Sequence, residues 1–460
     1  MFHYLRIGLV PAFLVLCLVF GGASAAGFWP NMGLQLAAIL IIFWSLIVRR
    51  NTPIAPAGRQ LLILTALMLL VPLIQLVPLP PSIWTALPGR AAVADGFKLI
   101  GQPLPWLPVS LAPARTVASL LWLLPALAVL LGIVRLGNFR GAWIASGVAI
   151  VAALSVAIGA LQLAGGTGSD WYFYSITNYG ATVGFFANAN HLATLLVATI
   201  PLLTAFYLNA RAKGRSVSRA SGLLVMLGGA VAVVMVGIVI NSSLAGIGLM
   251  VPAVAASGLL LIRSRRKKKL SPLWGGMVAL LLFGAVAGIY LSPTSNNLTA
   301  NGARSDPSSR YQSFSISSKA VLDYLPLGSG VGTFPNIYPT YEDPDRVTRF
   351  YMNHVHSDYI ELALETGLPG MIVLALFLWW WLRRTVSIWR AEEADYLALG
   401  ATIASGVILA HSLVDYPLRT AAISALFAAC CALMADPRAR VRERVRDEAP
   451  EKKARHLTAD

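Results

Sequence analysis

The chain alternates between long apolar runs and shorter polar connections, and this pattern predicts its secondary structure. A run of about 20 apolar residues is long enough to cross a bilayer as a helix. Because only helices and closed barrels satisfy their backbone hydrogen bonds inside lipid, we expect helices throughout. The predicted spans lie near residues 7–25, 31–48, 61–79, 116–135, 142–164, 191–208, 221–240, 244–262, 273–291, 368–383, 396–413 and 419–435.

Composition supports the same interpretation. Hydrophobic residues make up 57% of the 460 positions and charged residues 12%, and the mean hydropathy is +0.69. The sequence therefore predicts an all-α, polytopic membrane protein with about twelve transmembrane helices. Near the N-terminus, Arg6, the apolar run and the small residues GGASAA leave a cleavable signal peptide as the alternative to a first span.

The charge distribution predicts an orientation. Of the 36 Lys and Arg that give a net charge of +16, most fall in alternate connections: near residue 6, at 49–59, 135–140, 211–219, 263–269 and 383–390, and beyond 438. By the positive-inside rule these connections and both termini are expected to be cytoplasmic. The basic excess is thus a topology signal that also meets anionic lipid, and a nucleic-acid partner is not needed to explain it.

The same pattern predicts four regions along the chain. Residues 1–291 form a membrane domain with nine spans, and 368–435 add three more. Residues 292–367 form a large loop on the outer, periplasmic face, where we expect short helices because a structureless loop of that length is uncommon. Residues 436–460 form a charged tail that is poor in apolar residues and is expected to be disordered.

The most concentrated chemistry lies at residues 351–370, YMNHVHSDYIELALETGLPG. Asp358, Glu361 and Glu365 are spaced i, i+3, i+7, so a helix places the three carboxylates on one face. The pair Asp358 and Glu361 suits a helix N-cap with its reciprocal partner. Gly367 and Pro369 are then expected to end this short helix before the next span begins.

Three interpretations of this stretch stay open on the residues alone. The acids can form a solvated helix cap beside two ordinary loop histidines. The spacing His354-x-His356-x-Asp358 is also found in metal sites, which His191 or His411 would complete. Finally, one histidine can act as a general base or phosphate contact in a group-transfer reaction.

Other polar residues allow both a structural and a functional interpretation. Arg310 either pairs with an acid of its own loop or binds substrate. Asn188 and Asn190 either cap the sixth span or belong to a site. His411 and Asp415 lie near the outer end of a span, where ionisable groups are costly and therefore favour function. The glycines at 328, 330 and 332 turn the chain, since a phosphate cradle would need a strand and helix around it.

Three motifs together resemble the O-antigen ligase and Wzy-type polymerase family of bacterial envelope proteins. Residues 356–370, HSDYIELALETGLPG, are similar to the family's "H-N-x-Y-L…E-x-G-x-x-G". Arg310 followed by 326–334, PLGSGVGTF, resembles "R…P-L-x-G-x-G-x-x-F". Residues 184–193, GFFANANHLA, resemble "G-x-F-x-N-x-N-x-x-A". The motifs occur in the family's order and on one predicted face of a twelve-span layout.

The resemblance implies a GT-C-like, metal-independent glycosyltransferase of the inner membrane without a cofactor. It implies transfer of a glycan from undecaprenyl pyrophosphate to an acceptor hydroxyl at the periplasmic face. By position, Arg310 would bind the pyrophosphate through its planar guanidinium. His356 would deprotonate the acceptor or hold the departing phosphate, and Glu365 would orient these groups.

Two positions depart from the family pattern. Where the family often has Ser-Arg-Gly, this chain has Ser243-Leu244-Ala245-Gly246, so a second phosphate-binding arginine is missing. The asparagine after the motif histidine is Ser357, which leaves His354 as an alternative to His356. Arginines that could replace the missing one, and further substrate-binding candidates, are Arg115, Arg304, Arg419, His354, Asp358, Asn190, His411 and Asp415.

Several functions remain to be separated. Within the family we favour a polymerase acting in exopolysaccharide or O-antigen assembly, because the double-histidine motif and the segment 411–418 resemble such members. The alternatives are ligation to lipid A-core and transfer to protein. A transporter or flippase of lipid-linked glycans would place charges in mid-span, which these spans nearly lack, and a non-catalytic scaffold would not need the aligned Arg, His and Glu.

Overall fold

The computed structural model describes residues 2–24, 27–48, 53–136, 141–212, 217–265, 307–344 and 352–435, with the isolated helical positions 276, 280 and 284. Its α-helices are α1 (Phe2–Phe20), α2 (Phe28–Ile47), α3 (Pro56–Gln75), α4 (Pro81–Trp84), α5 (Ala91–Leu99), α6 (Pro113–Leu131), α7 (Gly141–Gly165), α8 (Ala189–Ala212), α9 (Val217–Asn241), α10 (Leu244–Arg265), α11 (Pro307–Tyr324), α12 (Phe334–Ile337), α13 (Asp358–Arg390), α14 (Tyr396–His411) and α15 (Ala421–Ala435). A π-helical turn, Gly132–Leu136, extends α6. Two short strands, β1 (Pro78–Leu79) and β2 (Leu107–Pro108), pair antiparallel.

The all-α, polytopic architecture is confirmed. Within the described ranges, eight helices are long and apolar enough to cross a membrane, and three shorter apolar helices accompany them. Every predicted span coincides with one of these helices except 273–291. That span lies outside the described residues apart from positions 276, 280 and 284, which are helical.

Helix α8 is the centre of the membrane domain. It packs against α7, α9, α10 and α14, and its side chains are buried along nearly the whole helix. By contrast α2 leaves Leu36, Leu40 and Phe43 exposed, as expected of a helix with one face toward lipid. Because α8 is packed on all sides, its N-terminus is held in place among the ends of the neighbouring helices.

The expected break between a short helix and the next span is confirmed within α13. The chain leaves helical geometry at Gly367 (φ 59°, ψ −150°), and a second helical stretch follows at once and continues to Arg390. The backbone N–H of Leu368 donates to the carbonyl of Pro326 at 2.8 Å. A Cβ at position 367 would collide with that same carbonyl oxygen, so this kink requires glycine.

The described part of the large loop is partly helical, as expected. Helices α11 and α12 and the 3₁₀ turn Tyr338–Thr340 enclose a small core of their own, formed by Ala320, Tyr324, Phe334, Ile337, Tyr338, Val355 and Leu364. The loop also contacts the segment after α3, where the N–H of Leu111 donates to the carbonyl of Ser329 at 2.9 Å. Segments that the charge pattern assigns to one side of the membrane thus meet at one end of the molecule.

Candidate functional site

Three chain segments meet at this end and form a polar cluster, which comprises residues 188–194, 352–365 and 411–419. The first segment enters α8, the second enters α13, and the third leaves α14. The backbone N–H of Asp358 donates to the carbonyl of Ser412 at 3.0 Å. The side chain of Thr194 contacts His411. The motif matches at 184–193 and 356–370 are therefore close in space although they are far apart in the sequence.

A single guanidinium holds the three carboxylates of α13. Arg419 lies 2.9 Å from Glu365, 3.4 Å from Glu361 and 3.6 Å from Asp358. The predicted shared face of these acids is confirmed, but the solvated cap is wrong, because all three side chains are buried. Burial opposes the charge of Arg419, yet Glu361, Glu365 and Asp358 raise its pKa overall, so the guanidinium stays charged.

The predicted capping roles of Asp358 and Glu361 are also wrong. Ser357 occupies the N-cap position and makes no capping bond through its side chain. Asp358 instead accepts from the hydroxyl of Ser412 at 2.8 Å and from the N–H of Leu418 at 3.3 Å. Asp358 therefore reaches across to the segment after α14, while Glu361 reaches back to His354 and Val355 just before the helix and also pairs with Arg419.

Each histidine of the motif faces its own carboxylate. His354 Nδ1 lies 2.8 Å from Glu361 Oε1, and His356 Nδ1 lies 3.3 Å from Asp415 Oδ1. Both rings are partly exposed, His354 at 15% and His356 at 20% of the side chain. His356 has a positive φ of 63°, a conformation that costs non-glycine residues about 1–3 kcal/mol and concentrates at functional sites.

Tyr416 lies in the middle of the polar cluster and was missed by the sequence analysis. Its ring is 4.4 Å from the ring of His354 and 5.0 Å from those of His356 and His191, measured between centroids. Its hydroxyl accepts from Asn188 Nδ2 at 3.4 Å. Burial and the nearby Asp415 raise the pKa of this phenol, so it stays neutral. Its one sequence signal was its place next to Asp415.

Glu365 links the polar cluster to the glycine-rich turn. Its Oε1 accepts from the N–H of Gly332 at 2.8 Å, and its backbone carbonyl accepts from Gly330 at 2.9 Å. The N–H groups of Gly328 and Ser329 donate to other carbonyls of the protein. With these donors engaged, the glycines turn the chain, as expected, and do not cradle phosphate.

Gln75, at the end of α3, ties the same turn down and had no sequence signal. Its amide nitrogen donates to the carbonyls of Leu327 (3.0 Å) and Glu365 (2.8 Å), while its amide oxygen accepts from Val331 N–H (3.2 Å). This buried amide therefore fixes the glycine turn against α13. Helix α3 thus helps to set the position of the glycine turn in the large loop.

The residues at the start of α8 combine capping with tertiary contacts. Asn188 Oδ1 accepts from the N–H of Asn190 at 2.8 Å, which confirms the capping interpretation for Asn188. Asn190 Oδ1 accepts from the hydroxyl of Ser243 at 2.8 Å, at the hinge where the family has its arginine. His411 is fully buried, with Nδ1 2.8 Å from the hydroxyl of Thr194.

The arginines fall into different environments. The side chain of Arg115 is exposed in the first turn of α6, and the backbone carbonyl of Arg115 lies next to Gly332. Arg310 lies on α11, and its side chain is outside the described part of the structure, as is the whole of Arg304. Arg90, which the sequence analysis missed, is buried and donates to the carbonyls of Val109 and Gly328. Burial lowers the pKa of Arg90 to about 10, and its role is structural.

The metal interpretation finds no support in the geometry. His354 and His356 turn to different carboxylates instead of toward a shared point. Across the described residues, no group of three or more His, Cys, Asp or Glu side chains is arranged to hold a metal ion. The arrangement is one of two histidine–carboxylate pairs beside a charged arginine that is paired with three carboxylates.

Comparison with known proteins supports the resemblance found in the motifs. Residues 229–375 match a family model described as O-antigen ligase. The match contains the motif histidines and the acids of α13, but it ends before Asp415, Tyr416 and Arg419. No curated protein sequence matches the chain.

Proposed function

We propose that this chain, a member of the O-antigen ligase and Wzy-type family, transfers a glycan from a polyprenyl pyrophosphate carrier to an acceptor hydroxyl in surface polysaccharide assembly. The family match over residues 229–375 supports this reaction class. The observation that carries it furthest is the pair of His356 and Asp415, with partly exposed histidine, strained backbone and buried carboxylate. That combination is typical of a general base.

His356 is proposed to act on the acceptor. With its Nδ1–H directed at Asp415, the imidazole has its lone pair on Nε2. The acceptor oxygen attacks the anomeric carbon of the donor sugar, and its proton passes to Nε2. The bond between the anomeric carbon and the phosphate oxygen breaks, and its electron pair leaves with the carrier pyrophosphate. Asp415 then stabilises the imidazolium.

The charge of the polar cluster supports this assignment over phosphate binding. Three buried carboxylates, Asp358, Glu361 and Glu365, engage the guanidinium of Arg419, while Asp415 faces His356. A guanidinium whose charge is already paired has little to offer a pyrophosphate, whereas the carboxylate of Asp415 stabilises a protonated histidine. Arg419 is therefore proposed as a structural ion rather than as a phosphate ligand.

The pyrophosphate is proposed to bind beside the polar cluster, through Arg310 and Arg115. Arg310 matches the arginine of the family motif, and Arg115 has an exposed side chain and a backbone carbonyl beside the glycine turn that Glu365 holds. Preorganised positive charge at a leaving diphosphate is usually the largest catalytic contribution. We propose that the reaction needs no metal ion, since these guanidinium groups would supply the charge.

The proposed location is the bacterial inner membrane, with both termini cytoplasmic and the polar cluster facing the periplasm. The distribution of Lys and Arg supports this orientation. We favour a polymerase, whose acceptor is a second lipid-linked glycan; a ligase would use lipid A-core and a protein transferase a polypeptide. A lipid-linked glycan flippase is less well supported, since the ionisable side chains cluster at helix ends and not in mid-span.

Substitution of Arg310 tests the reaction. Arg310→Ala is expected to abolish transfer from a synthetic polyprenyl-pyrophosphate glycan, and Arg310→Lys to restore it partly, since lysine lacks the bidentate fork. Lys319→Ala is the matched control, because Lys319 is an exposed cation on the same helix. Product is measured by mass spectrometry after purification in nanodiscs. Wild-type transfer by the Arg310→Ala variant would contradict the proposal.

A further inference from the structure

Tyr416 contacts both members of the proposed base. Its backbone N–H donates to Asp415 Oδ1 at 2.8 Å, and His356 Nδ1 faces that same oxygen at 3.3 Å. Its ring packs against His356 with the two ring planes at 69°. One residue therefore limits the rotation of the carboxylate through its backbone and the position of the imidazole through its side chain.

The ring of Tyr416 is itself held from a second direction. Asn188 donates to its hydroxyl at 3.4 Å, and Asn188 is in turn fixed as the residue that caps α8. The ring of His191, fully buried on α8, packs edge-on against it at 5.0 Å. The Tyr416 ring thus lies between α8 and the two motif histidines, His354 and His356.

We propose that Tyr416 is a positioning residue, whose ring holds His356 against Asp415 in the orientation in which the imidazole can accept the proton of the acceptor. This inference rests on the proposed function for its catalytic consequence. It also gives a role to Asn188 of the motif 184–193, which would orient the tyrosine hydroxyl rather than contact substrate.

The ring of Tyr416 secures the contact between His356 and Asp415. Asp415 is the carboxylate that faces the His356 ring directly. Without the Tyr416 ring, the imidazole should turn away from Asp415 and become more accessible to solvent.

The test measures how firmly the His356 ring is held without relying on turnover. Diethyl pyrocarbonate modifies accessible imidazole, so the rate of His356 labelling at one fixed pH, read by mass spectrometry of the full-length protein in nanodiscs, reports the exposure of the ring. Tyr416→Leu is expected to raise this labelling rate several-fold, because the ring is no longer held against Asp415. Asp415→Asn should produce the same rise, and Tyr416→Phe, which keeps the ring, should produce none.

Transfer assays on the same variants complete the test. The Leu variant should lose about tenfold or more in kcat with little change in KM, and the Phe variant should lose less than about threefold in kcat. Tyr207→Leu removes a buried tyrosine from α8, away from His356, and controls for packing. If Tyr416→Leu does not fold, Tyr416→Met, which has a more flexible side chain of similar size to leucine, takes its place.

The outcomes separate the two proposals. An unchanged rate of His356 labelling in folded Leu or Met variants would overturn the positioning role. An equal rise in the Phe variant would assign the effect to the hydroxyl and overturn the role of the ring. If the wild-type protein shows no transfer while the labelling rates change as expected, the proposed function fails and the positioning stands.

Discussion

The two histidine–carboxylate pairs of this protein differ in how firmly each is held. Glu361, which faces His354, also accepts from the N–H of Val355 at 3.0 Å and pairs with Arg419. The pair of His354 and Glu361 is short, at 2.8 Å, and belongs to a network that fixes the start of α13. The pair of His356 and Asp415 is longer, at 3.3 Å, and its histidine has a left-handed backbone.

This difference separates a structural histidine from a reactive one. Glu361 is fixed in one geometry by its short bond to His354 and by its contacts with Arg419 and a backbone N–H. Its charge is already balanced by Arg419. A strained residue persists only where its surroundings hold it, and catalytic hydrogen bonds are often long before substrate binds. We therefore assign stability to the first pair and chemistry to the second.

The largest effect is expected from Arg419, which supports the structural pair. Arg419→Leu would leave three buried carboxylates without their cation, which should lower the free energy of unfolding by about 3 kcal/mol or more. Thermal unfolding in detergent measures the loss. Arg419→Lys keeps the charge but loses the planar guanidinium with its several donors. Its stability should therefore fall between those of the wild type and the Leu variant. A Leu variant as stable as the wild type would contradict the network described above.

The next effect sharpens the comparison itself. Asp415→Asn keeps the shape but loses the charge that stabilises a protonated His356, so we expect transfer to fall about a hundredfold. The matched change, Glu361→Gln, should lower stability and reduce the rate less than about tenfold. Both are measured as initial rates on lipid-linked substrate at equal amounts of folded protein. A reversed order of the two losses would exchange the roles of the two pairs.

The smallest effect concerns an acid outside both pairs. Ser412→Ala removes one hydrogen bond to Asp358, which keeps its contact with Arg419. We expect a loss of about 1.5 kcal/mol in unfolding free energy and a rate close to that of the wild type. A large loss of transfer with intact folding would mean that Asp358 belongs to the reactive group.

Much of the architecture could be predicted because it depends on local pattern. Apolar runs of membrane length define the spans, and the i, i+3, i+7 spacing places Asp358, Glu361 and Glu365 together. The kink at Gly367 and the span that begins beyond it were also visible in the sequence. The hydrogen bond from Leu368 to Pro326 was not, because that contact belongs to the tertiary structure.

The site was harder to predict, since its key contacts join distant segments. Nothing local indicates that Arg419 pairs with the acids of α13, that Tyr416 lies between three imidazoles, or that Gln75 holds the glycine turn. The capping roles of Asp358 and Glu361 failed for the same reason. A sequence motif shows which residues are near one another in the chain, and the partners of buried polar groups are settled by packing.

The central claim is that His356 carries out glycan transfer while His354 supports the structure. It is tested most directly by the surface-glycan profile of cells lacking this protein, complemented with wild type, His356→Ala or His354→Ala at matched membrane levels. We predict that His356→Ala fails to restore the glycan and His354→Ala restores much of it. Single repeat units left in the deletion strain would identify a polymerase, and long carrier-linked chains a ligase. Normal glycan in the His356→Ala strain would contradict the account.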